Sequence, residues 1–265
     1  MIDKRQVKIH FTKNAKTYDQ YAHVQKSMAI KLLNNLAIDP HLHINILEIG
    51  CGTGYLTKNL QKTFINSTIT AIDIADGMIE KARENTSSKN IKFICGDIED
   101  IGLTEKFDLI ISNATFQWLN NLPKTINYLY SLLKNDGILT YSTFGKDTFK
   151  ELKECYLKAS LELNIHEFKC GQDFLDVDYL TNIIQCETLA NPIIESYQEE
   201  FQFNNCNEFF KSIKKVGASN SNAFNRCTSP AFLKKVIDIY NKDYTFNNNV
   251  IATYHYLLIT INNSK

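Results

Sequence analysis

Apolar positions along this 265-residue chain follow two rhythms. Short continuous runs read as strands buried on both faces, and residues recurring every three or four positions read as amphipathic helices. Tyr18, Tyr21, Ala22, Gln25, Met28, Ala29, Leu32, Leu33 and Leu36 recur in the second way, which predicts one helix over Lys16–Leu36. The run from Ile44 to Ile49 is a strand, and Leu56 and Leu60 mark a helix behind it. Strands follow at Thr68–Asp73, Ile91–Cys95, Phe107–Ser112 and Ile138–Phe144. Helices are expected over Ala75–Asn85 and Pro123–Lys134, the latter ended by Asn135-Asp136-Gly137. This alternation predicts an α/β chain with a mostly parallel sheet. The rhythm then breaks. Phe149, Leu152, Cys155, Tyr156, Ala159 and Leu163 form a helical stripe, with Thr148 and Glu151 as a capping box, and Asp176 caps a helix through Ile184. A strand within Thr188–Phe203, helices over Asn207–Val216 and Pro230–Asn241, and a closing strand over Val250–Ile261 complete the pattern. Neither a repeat nor a linker interrupts it, so residues 1–265 are expected to form one domain: 1–40 N-terminal helices, 44–144 a core, 147–250 helical insertions.

The turn after the first strand carries the chemistry. Gly50, Gly52 and Gly54 alternate there, and glycine both reaches backbone angles closed to other residues and lets a ligand lie against the main chain. The following helix points its free N–H groups into the same space. Dinucleotide-binding turns space their glycines as G-x-G-x-x-G. Here Glu48 precedes an evenly spaced triplet, and E-x-G-x-G-x-G resembles motif I of the class I S-adenosylmethionine-dependent methyltransferases. Asp73, at the tip of the next strand, is placed to accept both hydroxyls of a ribose. Asp97, after the third strand, can accept from the amino group of an adenine. Asn113 and Gln117 follow the fourth strand, where open α/β sheets bind ligands, and Trp118 is the only tryptophan. If the N-terminal helix is a lid, Phe11, Tyr18 and Tyr21 face the ligand.

Charge narrows the partners. The chain has 29 basic and 29 acidic residues, which argues against a general electrostatic grip on nucleic acid. No apolar run reaches membrane-spanning length. Seven cysteines lie scattered without a C-x-x-C pair, as expected for reduced thiols in a cytoplasmic protein rather than a disulfide framework or a metal site. Arginine occurs only at 5, 83 and 226.

Three further segments are similar to one family, the malonyl-acyl-carrier-protein O-methyltransferases of biotin synthesis: Phe11-x-x-x-Ala15-x-x-Tyr18-Asp19-x-Tyr21-Ala22-x-x-Gln25, Ser112-Asn113-Ala114-x-x-Gln117-Trp118, and Val216-Gly217-Ala218-Ser219 with Arg226 beyond it. Ser219 stands where the family usually has Asn. The resemblance implies a Rossmann-like class I methyltransferase fold, with a seven-stranded, mostly parallel sheet, an antiparallel last strand, an N-terminal lid helix and helical insertions. It implies S-adenosylmethionine as cofactor, bound by Tyr21, Gln25, Glu48, Gly50, Cys51, Gly52, Gly54, Asp73, Ile74, Met78, Asp97, Ile98 and Asn113. Tyr18, Gln117 and Arg226 would position a malonyl carboxylate, Arg226 through its two-pronged guanidinium. The acidic carrier protein would dock on a basic face of Lys211, Lys214, Lys215, Lys234 and Lys235. Two alternatives remain open from the residues: a methyltransferase of a small carboxylic acid or quinone, and a nucleotide-binding module without catalysis.

Overall fold

The computed structural model describes residues 2–86, 90–166, 168, 170–217 and 229–263. Two N-terminal helices, α1 (Lys4–Asn14) and α2 (His23–Asn34), flank a single 3-10 turn at Tyr18–Gln20. The core then alternates β1 (Asn45–Ile49), α3 (Tyr55–Thr63), β2 (Thr68–Asp73), α4 (Asp76–Asn85), β3 (Ile91–Cys95), β4 (Phe107–Ser112), α5 (Leu122–Ser131) and β5 (Leu133–Phe144). The remainder is α6 (Lys150–Glu162), α7 (Val177–Thr188), β6 (Ile193–Phe203), α8 (Cys206–Lys215), α9 (Pro230–Asp243), β7 (Thr245–Phe246) and β8 (Asn249–Asn262).

The strands form one sheet in the order β3-β2-β1-β4-β5-β8-β6, and the two-residue β7 pairs with β8. β1 to β5 run parallel, while β8 is antiparallel to both β5 and β6. The sheet is therefore the expected Rossmann-like one, with an antiparallel last strand and a short eighth strand added. Side chains alternate across it. Ile46, Leu109 and Ile111 enter one core with Met28, Leu32 and Leu60; Leu47, Ile49 and Ile110 enter the other with Ile126, Leu129 and Ile184. Burial on both faces is why β1 and β4 are mostly apolar and do not alternate with polar residues.

Three expectations need correction. The single helix over Lys16–Leu36 is broken: the 3-10 turn at Tyr18–Gln20 intervenes, and α2 starts at His23. Tyr18 and Tyr21 kept the apolar period going although their backbone is not α-helical. Ahead of the break lies α1, which the periodicity missed because Val7 is its only buried residue. Polar contacts hold it instead. The Asp3 carboxylate caps its first turn by accepting from the N–H groups of Arg5 and Gln6, and Lys4 pairs with Asp97 at 3.0 Å and Glu99 at 2.7 Å. The Thr12 hydroxyl donates to Asp76 at 2.7 Å. Next, Asn135-Asp136-Gly137 does not end α5. It is a bulge inside β5, with Asp136 at φ 59° and a register shift against β4. Finally, Thr148 and Glu151 form no capping box. The Thr148 hydroxyl donates to the His255 carbonyl, and the Glu151 carboxylate accepts from the N–H and hydroxyl of Thr253, so both residues tie α6 to β8. Phe149 takes the N-cap position at φ 59°, without a side-chain cap. The expected Asp176 cap on α7 is present, accepting from the Tyr179 N–H at 2.9 Å.

Candidate active site

The site lies at the C-terminal ends of the parallel strands. Gly50, Gly52 and Gly54 have φ of 69°, 53° and 82°, the left-handed region that glycine enters without strain. The turn is pinned from β2. Gly50 and Cys51 donate their N–H groups to the Ile72 carbonyl at 2.7 and 3.0 Å. One Asp73 carboxylate oxygen accepts from the Gly52 N–H and the other from the Ala75 N–H, each at 2.8 Å. Each oxygen keeps a second lone pair for a ligand hydroxyl. Burial pushes the Asp73 carboxyl up to about 6.

Above this turn is a cavity of about 670 Å³ whose walls include Gly50, Gly52, Asp73, Ile74, Met78, Asp97, Ile98 and Asn113. Lys4, Val7 and Phe11 of α1 roof it. A smaller cavity of about 390 Å³ continues past the same glycines and takes in Gln25, Glu48 and Cys51. The sequence-predicted cofactor residues thus gather around two connected spaces, with two exceptions. Gly54 lies behind the turn: a Cβ there would stand 3.0 Å from the Ala82 backbone, so this glycine lets α3 and α4 pack closely. Tyr21 ends the 3-10 turn and lines neither space.

A larger cavity of about 800 Å³ adjoins the first. Phe11, Tyr18, Ala114 and Trp118 line both and form their common wall. Phe11 packs edge-on against Trp118 with ring centroids 5.8 Å apart, and Tyr18 lies 6.3 Å from Phe11. Burial raises the Tyr18 phenol far above its usual range, so it stays a neutral donor. Gln117 lines the larger cavity, but its amide is held in place: Nε2 donates to the Ala114 carbonyl at 2.7 Å, and Oε1 accepts from the Thr143 hydroxyl at 3.4 Å. Arg226 lies outside the described residues.

Sequence reasoning missed the supports of this wall. Ala114 sits at φ 51°, a strained angle for a residue with a side chain. Ser142 on β5 holds it, accepting from the Ala114 N–H at 3.0 Å while donating to the Asn113 side chain at 2.7 Å. Asn113 in turn donates to the Gln25 carbonyl at 3.0 Å, and the Thr53 hydroxyl donates to Asp19 at 2.8 Å. These bonds join the N-terminal segment to the loop after β4 across 88 residues of sequence and to the glycine turn across 34, separations no local pattern reports.

Glu48 is buried, and its Oε2 has no hydrogen-bond partner among the described residues. Burial pushes its carboxyl from 4.5 up to about 8. A raised acid holds more protons in the folded chain than in the unfolded one over that window, so its contribution to stability falls as pH rises from 4.5 toward 8. We expect Glu48→Gln to remove this part of the slope. The gap between wild-type and variant unfolding free energies should change by on the order of 2 kcal/mol across the window, read from melts without ligand. Parallel pH profiles for the two proteins would refute the assignment.

A family model described as a methyltransferase domain matches residues 40–186. The malonyl-acyl-carrier-protein O-methyltransferase of Priestia megaterium is 45% identical over 271 residues, spanning 98% of this chain and 98% of that protein. The chain belongs to the malonyl-acyl-carrier-protein O-methyltransferase family. Among solved structures, the YcgJ protein of Bacillus subtilis matches with a TM-score of 0.61 at 13% identity, over 90% of this chain and 98% of that one. Phosphoethanolamine N-methyltransferase 2 of Haemonchus contortus, in complex with S-adenosyl-L-methionine, matches with a TM-score of 0.56 at 14% identity, over 90% of this chain and 53% of that one. These likenesses carry the fold, a class I methyltransferase fold. The generic domain stops inside α7 and begins after α2. Phe11, Tyr18, Gln25, Ile213, Val216 and Tyr254, which help wall the larger cavity, all lie outside it. The full-length similarity within the family covers both parts.

Proposed function

We propose that this chain transfers a methyl group from S-adenosylmethionine to the free carboxylate of a malonyl thioester on acyl carrier protein, giving a methyl ester for biotin synthesis. One observation carries the reading: a cavity over the glycine turn that holds the carboxylates of Asp73 and Asp97 meets a second cavity without a carboxylate among its described lining at the wall of Phe11, Tyr18, Ala114 and Trp118. A chain of family relatives carrying that activity in their name supports it along the full length.

The cofactor residues fit the group. A Cβ at Gly52 would meet nothing within 4 Å, so main chain is open to a ligand there, and Asp73 keeps lone pairs for ribose hydroxyls. Asp97 accepts from an adenine amino group beside Ile74, Met78 and Ile98. Glu48, Gln25 and Cys51 line the smaller space for the amino-acid end, with Tyr21 as an outer support. When bound, S-adenosylmethionine supplies an electrophilic methyl group.

The acceptor needs no general base. A malonyl carboxylate has a pKa of about 3 to 4 and is ionised at neutral pH. Phe11, Tyr18 and Trp118 exclude water from the wall where opposite charges neutralise, which favours the reaction. Tyr18, as a neutral phenol, donates to the carboxylate, Gln117 shapes the wall beside it, and Arg226 supplies the guanidinium. On the basic docking face, Lys211, Lys214 and Lys234 are exposed, whereas Lys235 is engaged with Glu162. The reading treats residues 1–265 as one functional unit in a reducing cytoplasm. Among the described residues no helix is long and apolar enough to cross a membrane.

Mass spectrometry of malonyl-carrier protein after incubation with S-adenosylmethionine tests the proposal, and one added methyl group is expected. Methylation of free acids or quinones with the carrier-bound malonyl group untouched would overturn it.

A further inference from the structure

The larger cavity has one charged side chain among its described lining residues, Lys153. Its other titratable walls stay neutral: burial raises the Tyr18 and Tyr254 phenols and lifts the Cys170 thiol to about 12. Lys153 sits in the first turn of α6, and a helical side chain leans back toward the N-terminus of its helix. Its Nζ accordingly hydrogen-bonds the carbonyl of Lys146, an exposed residue. No ion pair among the described residues neutralises it. The ammonium is therefore at the rim of the cavity, on the α6 side, and not at the wall of Tyr18, Ala114 and Trp118 where the two cavities meet.

We infer that Lys153 binds the phosphate of the acceptor's pantetheine arm. The inference rests on the proposed function. There, the reacting carboxylate must reach the common wall, so the rest of the acceptor runs outward through the apolar space toward the rim. A pantetheine thioester is uncharged until the phosphate at its far end. That phosphate is shared by an arm attached to a carrier protein and by a free phosphopantetheine thioester. A lone cation at the rim of an apolar passage is matched to an anion arriving last, and unsuited to a neutral chain.

The test compares KM for malonyl-pantetheine, malonyl-phosphopantetheine and malonyl-carrier protein in the wild-type, K153M and K153R enzymes. Methionine keeps the aliphatic stem that lines the cavity, and arginine keeps the charge. The wild-type enzyme should favour the phosphorylated small thioester about fivefold, the size of a partly exposed ion pair. K153M should collapse the ratio of the two small-thioester KM values to one and raise KM for the carrier substrate by a similar factor. K153R should retain the ratio, which also guards against a K153M chain that folds poorly. An unchanged ratio in K153M overturns the inference, because the ammonium then meets a group common to both thioesters or none. Equal wild-type KM values for the two small thioesters overturn the phosphate site alone. Failure of the wild-type enzyme to methylate any of the three overturns the acceptor reading beneath it.

Discussion

Asp73→Ala should weaken S-adenosylmethionine binding about a hundredfold while leaving the acceptor KM nearly unchanged. The loss has two parts. The variant removes the carboxylate proposed to accept from the ribose hydroxyls, and bonds to a charged acceptor contribute about 1.5–3 kcal/mol each. It also leaves the Gly52 and Ala75 N–H groups without the partner that pins the glycine turn. Titration calorimetry measures the first effect, and the pH profile separates it from a general loosening. Burial sets the free carboxyl at about 6, and ribose hydroxyls donate to its ionised form, so binding favours loss of the proton. Affinity in the wild type should therefore rise with pH up to about 6 and level off above it; in Asp73→Ala that rise should vanish. A variant with wild-type affinity, or with the same pH profile, would remove Asp73 from the cofactor site.

Gly50→Ala should be as damaging, for steric reasons alone. A Cβ at Gly50 would fall 1.9 Å from the Thr115 hydroxyl oxygen, and the backbone there sits at φ 69°. The left-handed conformation costs an L-residue about 1–2 kcal/mol, and overpacking adds about 1–3. Relief requires Thr115 to move, and its hydroxyl bonds the Asn113 carbonyl at 3.1 Å, next to the strained Ala114 of the common wall. The substitution should lower the melting temperature markedly and reduce cofactor affinity at least a hundredfold. Gly102→Ala is the control, because a Cβ there meets nothing within 4 Å and should change neither. If Gly50→Ala melts and binds like Gly102→Ala, the close contact between the turn and the β4 loop is not maintained in solution.

Much of the core was legible because parallel strands buried on both faces are written as continuous apolar runs. Thr68–Asp73 and Phe107–Ser112 appear in the structure with the bounds the pattern suggested. Gly50, Gly52 and Asp73, singled out by the glycine spacing and the acid at the tip of β2, likewise line one cavity in the structure. What periodicity could not show is held together by polar groups distant in sequence. α1 buries one residue and is fastened to distant residues by Lys4 and Thr12, so it carries no apolar stripe. Glu151 fitted a local capping pattern, yet its carboxylate satisfies β8, one hundred and two residues away. The bulge at Asp136 looked like a helix terminator because Asn-Asp-Gly serves either purpose. The common wall depends on Ser142 beneath Ala114, a contact set by strand order and not by spacing.

The roof over the glycine-turn cavity is the polar helix α1, and one of its attachments is Lys4 set between Asp97 and Glu99. On the proposed function, spent cofactor beneath α1 leaves past that attachment. Dissolved ions screen such partly exposed charges and leave apolar packing at Phe11 intact. Ionic strength thus becomes a handle on how fast the enzyme reloads, separate from how fast it reacts.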